Sequence, residues 1–267
     1  MPATDPPFCE RVPVELTERL RRVLKNGKIT VTPLPLTPEI RLYLLGADYP
    51  QHDLAREEVR ALMNEPPFWS FCWSSGQVLA HWILEHKELA EGRSVLDFGT
   101  GSGIVAVAAA RAGAKKVLAC DIDPVSLQAV KANAQLNQVE IEVSEDFEGA
   151  SRGGVEVILA ADVLYDEENF LLVKRFPDLA SEVVLADSRV RELILDPYRK
   201  IGHGVAVTCP DLHEPEEYRQ VSIYGTSRMK TDGLAKSNVH PSIPWSPLAP
   251  PQAGKPQGER FKSIVSV

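Results

Sequence analysis

A chain of 267 residues, 44% hydrophobic and 25% charged, has the balance of an ordinary globular protein and the length for one sizeable core with a small appendage. No run approaches the roughly 20 apolar residues that a membrane helix requires, because Arg111 interrupts the longest candidate, residues 104–114. The net charge of −8 is uneven: residues 226–267 carry +4 and residues 1–225 carry −12, and so acidic a body repels phosphate backbones and argues against a nucleic-acid substrate.

The first residues, MPATDPPFCERV, have neither a basic start nor an apolar run, so no signal peptide is expected and the protein is expected to be cytoplasmic, with no membrane partner. The four cysteines form no CxxC pair and the six histidines show no ligand spacing, so no metal is expected. Residues 1–66 read as an N-terminal extension or lid. Residues 14–23 and 53–63 there carry apolar residues at helical spacing, and residues 28–33 alternate like a strand.

Residues 67–225 alternate β-rich runs with helical stretches, the pattern of a mostly parallel sheet with helices on both faces. Strands are predicted over 94–98, 116–120, 140–143, 155–160, 182–186, 205–209 and 219–224. An Ala-rich helix opens near Gly103, and another starts at Pro124 with Asp123 as its cap. The last two strands have almost no helix between them, which predicts a hairpin and an antiparallel last strand. The expected fold is therefore α/β, Rossmann-like and seven-stranded. Residues 226–267, with six prolines and no periodicity, read as a disordered tail.

The chemistry centres on Asp97-Phe98-Gly99-Thr100-Gly101-Ser102-Gly103, a strand-to-helix turn of spacing D-x-G-x-G-x-G. Glycines let the backbone turn sharply and approach a ligand. A dinucleotide fingerprint would need glycine at 104, which is Ile104. S-adenosylmethionine (SAM) has no pyrophosphate to place on the helix end, and its ammonium asks for an acid, which Asp97 supplies. Gly99, Thr100, Gly101 and Gly103 would line the amino-acid part. Asp121, directly after the second strand, is the candidate for the ribose hydroxyls, with Ile122 against the adenine. Asp146 or Glu145, after the third strand, is the candidate acceptor for the adenine amino group. The bland alternative is an unliganded turn whose acids only cap helices.

After the fourth strand comes Asp162-Val163-Leu164-Tyr165-Asp166-Glu167. D-x-x-Y at this position resembles the mark of protein-modifying seven-strand methyltransferases, many of which act on lysine. Together with LTPEI (36–40), FWSFCWSSGQVLA (68–80), VLDFGTGSG and ACDIDP (119–124), it makes residues 36–225 similar to the electron-transfer flavoprotein β-subunit lysine methyltransferase family. Trp73, Gly76 and Gln77 match that family's W-x-G-G-Q segment, whereas Ser75 replaces its first glycine. The resemblance implies SAM as cofactor, a protein substrate, and cofactor contacts from Trp73 and Gln77. It also implies catalytic roles for Asp162, which orients the incoming amine, and for Tyr165, which shapes the lysine channel. The aromatic run also reads as plain core packing. The alternatives at this stage are a methyltransferase for a ribosomal protein or small amine, and a SAM-binding regulatory module without catalysis.

Overall fold

The computed structural model describes residues 12–51, 53–190 and 192–226, so the predicted tail beyond Thr226 lies outside the described residues. The chain opens with α1 (Val14–Val23), followed by β1 (Ile29–Pro33) and β2 (Arg41–Leu45), paired antiparallel, and then α2 (Arg56–Asn64). After these come α3 (Ser74–Glu85), β3 (Ser94–Phe98), α4 (Ile104–Arg111), β4 (Lys116–Cys120), α5 (Pro124–Leu136), β5 (Glu142–Ser144), α6 (Phe147–Ser151) and β6 (Val157–Ala161). The described chain finishes with α7 (Glu167–Val173), α8 (Phe176–Leu179), β7 (Glu182–Asp187), β8 (Arg199–Val205) and β9 (Gln220–Gly225). No helix among the described residues is long and apolar enough to cross a membrane.

Seven strands form one sheet in the order β5-β4-β3-β6-β7-β9-β8. The first five are parallel, and β9 runs antiparallel between β7 and β8, as the sequence predicts for the last strand. The two-residue period of a strand sorts side chains to the two faces. Val95, Val157, Leu159, Val184 and Ala186 enter the core under α3 and α4, whereas Leu96, Ile158, Ala160, Val183 and Leu185 enter the core with Phe147 and Phe176 from α6 and α8. Both faces are covered, so the parallel strands read as near-continuous apolar runs.

The strands depart from the predicted pattern in two places. The strand expected at 205–209 lies at Arg199–Val205 instead. Ala206 N still donates to Arg219 O at 3.1 Å, but Cys209 exchanges both backbone hydrogen bonds with Cys72, each 2.8 Å, and not with β9. The strand β2 was not predicted, since its two faces are both buried: Leu42 and Leu44 join the core of the sheet, and Tyr43 and Leu45 join the N-terminal cluster. A strand buried on both faces loses the alternation that marks it.

The outer edge of β2 is closed by two asparagines, Asn133 within α5 and Asn137 at its C-cap. Asn133 Oδ1 accepts from Tyr43 N at 2.7 Å, and Asn137 both accepts from Arg41 N (3.1 Å) and donates to Arg41 O (2.6 Å). Side-chain amides thus do for this edge what another strand would do. The N-terminal extension is built onto α5, and Leu16, Leu20, Trp69, Trp73, Val125 and Ala129 share its apolar contact.

Candidate active site

Register places the site. Phe98 of β3 pairs with Cys120 of β4 and with Ala160 of β6, so Gly99, Asp121 and Asp162 all leave the sheet at its C-terminal edge. The chain turns back on either side of β3 here, which is where open parallel sheets hold ligands.

Gly99, Gly101 and Gly103 have φ of +65°, +51° and +82°, the left-handed region that favours glycine. A Cβ on Gly99 would lie 2.8 Å from Val163 Cγ1, whereas one on Gly101 would meet nothing within 4 Å. The first glycine therefore serves packing against the Asp162 loop, and the second faces open space. Gly99 N and Thr100 N both donate to Cys120 O, at 2.9 and 3.1 Å, which ties the loop to β4.

Asp97 is buried under this loop. Its Oδ2 accepts from Thr100 Oγ1 at 2.6 Å and from Ala106 N at 3.1 Å, so the carboxylate already satisfies one free N–H at the start of α4. Burial pushes the Asp97 carboxyl up to about 7, against those hydrogen bonds. A buried carboxyl with an unspent oxygen and no cation beside it is a good acceptor for an ammonium.

Asp121 accepts from Gly101 N (2.9 Å, Oδ2) and Asp123 N (3.0 Å, Oδ1), and burial raises its carboxyl despite these bonds. It shapes the loop from below and keeps lone pairs for two further donors. Asp123 is the cap, accepting from Val125 N at 2.8 Å and Ser126 Oγ at 3.1 Å. Ile122 between them is 79% exposed, an apolar surface of the kind a purine ring covers. Asp146 caps α6 by accepting from Gly149 N at 3.0 Å, and Glu145 stands exposed beside it.

Across the crevice, Asp162 is buried at the end of β6 with φ +56°. A left-handed conformation on a non-glycine residue is sparsely populated, and such strain gathers at functional positions. Its Oδ1 accepts from Ser188 Oγ at 2.9 Å, and Asp187 Oδ1 accepts from Arg189 N and Val190 N, both 2.8 Å, which fixes the loop after β7. Tyr165 meets Phe68 with ring centroids 5.9 Å apart, and Phe68 meets Trp73 at 6.0 Å. The aromatic run is therefore both core and wall, since Trp73 belongs to the N-terminal cluster while its neighbour Phe68 lies against the Asp162 loop.

Gln77 is fully buried, and its amide donates to Cys72 O and Val207 O. It fastens α3 to the stretch after β8, so in this structure it acts on the backbone around the site. Cys72 is buried among Cys209, Ser102 and Asp162. Burial and then Cys209 push its thiol up, and a hydrogen bond with Ser102 opposes them.

Sequence reasoning missed Ser188, Cys72 and Asn133. Asn133 Nδ2 donates to Ser102 O at 2.8 Å, so one side chain holds both β2 and the glycine loop. The available signal was asparagine at 133, inside a helix, where it is disfavoured unless bonded. For Ser188 no local signal exists, because its partner lies 26 residues away.

The glycine loop, the acids Asp97 near the end of β3, Asp121 after β4 and Asp146 after β5, and the exposed Ile122 fit an amino acid joined to a nucleoside. This sheet order with this loop defines a class I SAM-dependent methyltransferase, whose cofactor, when bound, supplies a methyl group on a sulfonium. Residues 79–166 match the family model described as ribosomal protein L11 methyltransferase (PrmA). The chain is 31% identical over 242 residues to the electron transfer flavoprotein beta subunit lysine methyltransferase of Xenopus laevis, covering 89% of this chain and 93% of that one. It is 30% identical over 238 residues to the Homo sapiens protein of the same name, covering 84% and 82%. A solved ribosomal protein L11 methylase from Lactobacillus delbrueckii subsp. bulgaricus is 25% identical with a TM-score of 0.44, over 57% of this chain and 77% of that one. The chain belongs to the electron transfer flavoprotein beta subunit lysine methyltransferase family.

Proposed function

We propose that this enzyme methylates lysine side chains in the β subunit of electron transfer flavoprotein. The observation that carries the reading is the 31% identity extending over 93% of the Xenopus laevis relative, which includes the substrate side of the fold. The match to the ribosomal protein L11 methyltransferase model favours a second substrate. It ends at residue 166, before β7, and so covers the cofactor half and little of the substrate half.

In this reading Asp97 takes the ammonium of the cofactor, Asp121 the ribose hydroxyls, Ile122 the adenine face and Asp146 the adenine amino group. A lysine ammonium, with a reference pKa near 10.4, must lose its proton to water before the amine can attack the methyl carbon and displace the thioether sulfur. Desolvation favours that loss and a carboxylate opposes it, so Asp162 orients the amine and Ser188 holds Asp162. Tyr165, Phe68 and Trp73 flank the aliphatic stem and keep water from the line of attack.

Incubation with methyl-labelled SAM and purified flavoprotein, followed by mass spectrometry of the β subunit, tests this. Methylated lysines that are absent with Asp162→Ala are the expected result. An unlabelled flavoprotein beside another labelled lysate protein would remove the substrate and keep the reaction. Tight SAM binding with no label anywhere would favour the regulatory module.

A further inference from the structure

Between residues 19 and 28 the sequence places five cations and no acid, in a molecule whose first 225 residues carry −12. The structure gathers three of them, Arg21, Lys25 and Lys28, around a cavity of about 560 Å³ between the end of α1 and the turn after β2. Asp48 is the one acid on its wall, and its contact with Lys28 is a 4.0 Å pair with both side chains mostly exposed. Such a pair neutralises little. With the Glu58 carboxylate behind Lys25 counted as well, three cations against two carboxylates leave the cavity net positive, while residues 1–225 as a whole carry −12.

The backbone that presents these cations is fixed. Lys25 N donates to Glu58 Oε1 at 3.0 Å, Gly27 N to Leu24 O at 2.8 Å, and Gly46 N to Lys28 O at 2.8 Å. Arg21 Nε donates to Gly27 O at 3.2 Å, which leaves the rest of its guanidinium free of the frame. Tyr49 on the cavity wall is held by its hydroxyl on Glu58 at 2.7 Å. Cations on a rigid frame lose less freedom on binding than cations on a loose loop. The frame also connects to the methyl-transfer side, since Leu16 and Leu20 of α1 pack in one cluster with Trp69 and Trp73.

We propose that this cavity is a docking site for an acidic stretch of the protein substrate, apart from the lysine that is methylated. This rests on the protein-substrate reading above. Carboxylates of the substrate would meet Arg21, Lys25 and Lys28 while the target lysine enters beside Tyr165. A separate basic patch lets an otherwise acidic enzyme draw in an acidic partner, chiefly through association and orientation.

The test compares the wild-type chain with an Arg21→Gln, Lys25→Gln, Lys28→Gln triple variant and a charge-keeping Lys25→Arg, Lys28→Arg variant. A fluorescein-labelled, Glu-rich peptide without lysine, followed by anisotropy, should bind wild type in a salt-sensitive way. The triple variant should bind it roughly tenfold more weakly and the charge-keeping variant like wild type. With flavoprotein as substrate, the triple variant should show a raised KM with kcat and SAM affinity unchanged. Equal peptide binding by wild type and the triple variant would overturn the proposal, as would tighter binding of a single-stranded RNA probe than of the peptide. If wild type leaves the flavoprotein unlabelled, the substrate reading falls and the peptide alone decides the docking site.

Discussion

Ser188 Oγ donates to Asp162 Oδ1 at 2.9 Å, with both residues buried, and Asp162 holds a φ of +56° while doing so. The hydroxyl comes from the loop after β7 and the carboxylate from the end of β6, so the bond spans two strand ends that border the crevice. Replacing Asp162 with Ala should abolish turnover and leave SAM affinity nearly unchanged, because the proposed arrangement gives the residue to the amine and not to the nucleoside. Ser188→Ala should keep SAM affinity and lower kcat by roughly tenfold to a hundredfold, as expected when a buried carboxylate loses a bond worth about 1.5–3 kcal/mol. Ser188→Thr should recover most of the loss. Steady-state kinetics beside calorimetric SAM binding separates the two effects, and a parallel fall in SAM affinity would place Asp162 on the cofactor side.

The second prediction concerns pH. Burial raises Asp97 to about 7, above the ordinary carboxylate range near 4. The folded carboxyl therefore holds its proton more tightly than the unfolded one. Its contribution to stability is greatest below about 4 and declines as pH rises toward about 7. The role proposed for Asp97, partner to the cofactor's ammonium, needs the ionised form, so SAM affinity should climb as pH rises through that same window. Isothermal titration between mildly acidic and neutral pH should show the climb in wild type and a flat, weaker profile in Asp97→Asn. A flat wild-type profile would remove Asp97 as the ammonium partner.

Much of this site was legible because it is local. The strands at Ser94–Phe98 and Lys116–Cys120 and the helix α1 appear where periodicity predicts them. Asp123 caps α5 as its place before Pro124 predicts. What was not legible depends on distant partners. Ser188 and Asp162 meet only once β6 and β7 pair, and Cys209 finds its backbone partner in Cys72, 137 residues earlier, and not in β9. Gln77 is polar and carries the family pattern, and its amide N–H groups go to the backbone carbonyls of Cys72 and Val207, which no pattern within α3 foretells.

The glycine loop gives a third prediction. Asp121 holds Gly101 N at 2.9 Å, and Asn133 holds Ser102 O at 2.8 Å, so the loop is pinned from two sides. Asp121→Ala removes a pin and the acceptor proposed for the ribose, and SAM binding should weaken about a hundredfold. Asn133→Ala removes only a pin. It should weaken SAM binding about tenfold and also loosen β2, read as faster amide exchange at Tyr43, whose N–H donates to Asn133 at 2.7 Å. Unchanged exchange at Tyr43 would mean that the N-terminal extension does not depend on α5 for its edge.

The last prediction tests the frame under the N-terminal layer. Glu58 is buried and accepts from Lys25 N (3.0 Å), Tyr49 Oη (2.7 Å) and Ala55 N (3.1 Å). Burial alone would raise its carboxyl, but the bonds from Tyr49, Ala55 and Lys25 outweigh it and hold it below the usual range. A lowered carboxyl stabilises the fold above the unfolded pKa and loses that contribution as pH falls through the folded one. Glu58→Gln should therefore destabilise the protein near neutral pH and narrow its gap to wild type in acid. Glu58→Ala, which leaves three donors without their acceptor, should cost about 3 kcal/mol. Tyr49→Phe removes one donor and should cost about 1 kcal/mol. Thermal melts across pH would show the convergence, and melting curves that stay parallel down to acid pH would mean that the charge on Glu58 contributes nothing to holding Lys25 in place.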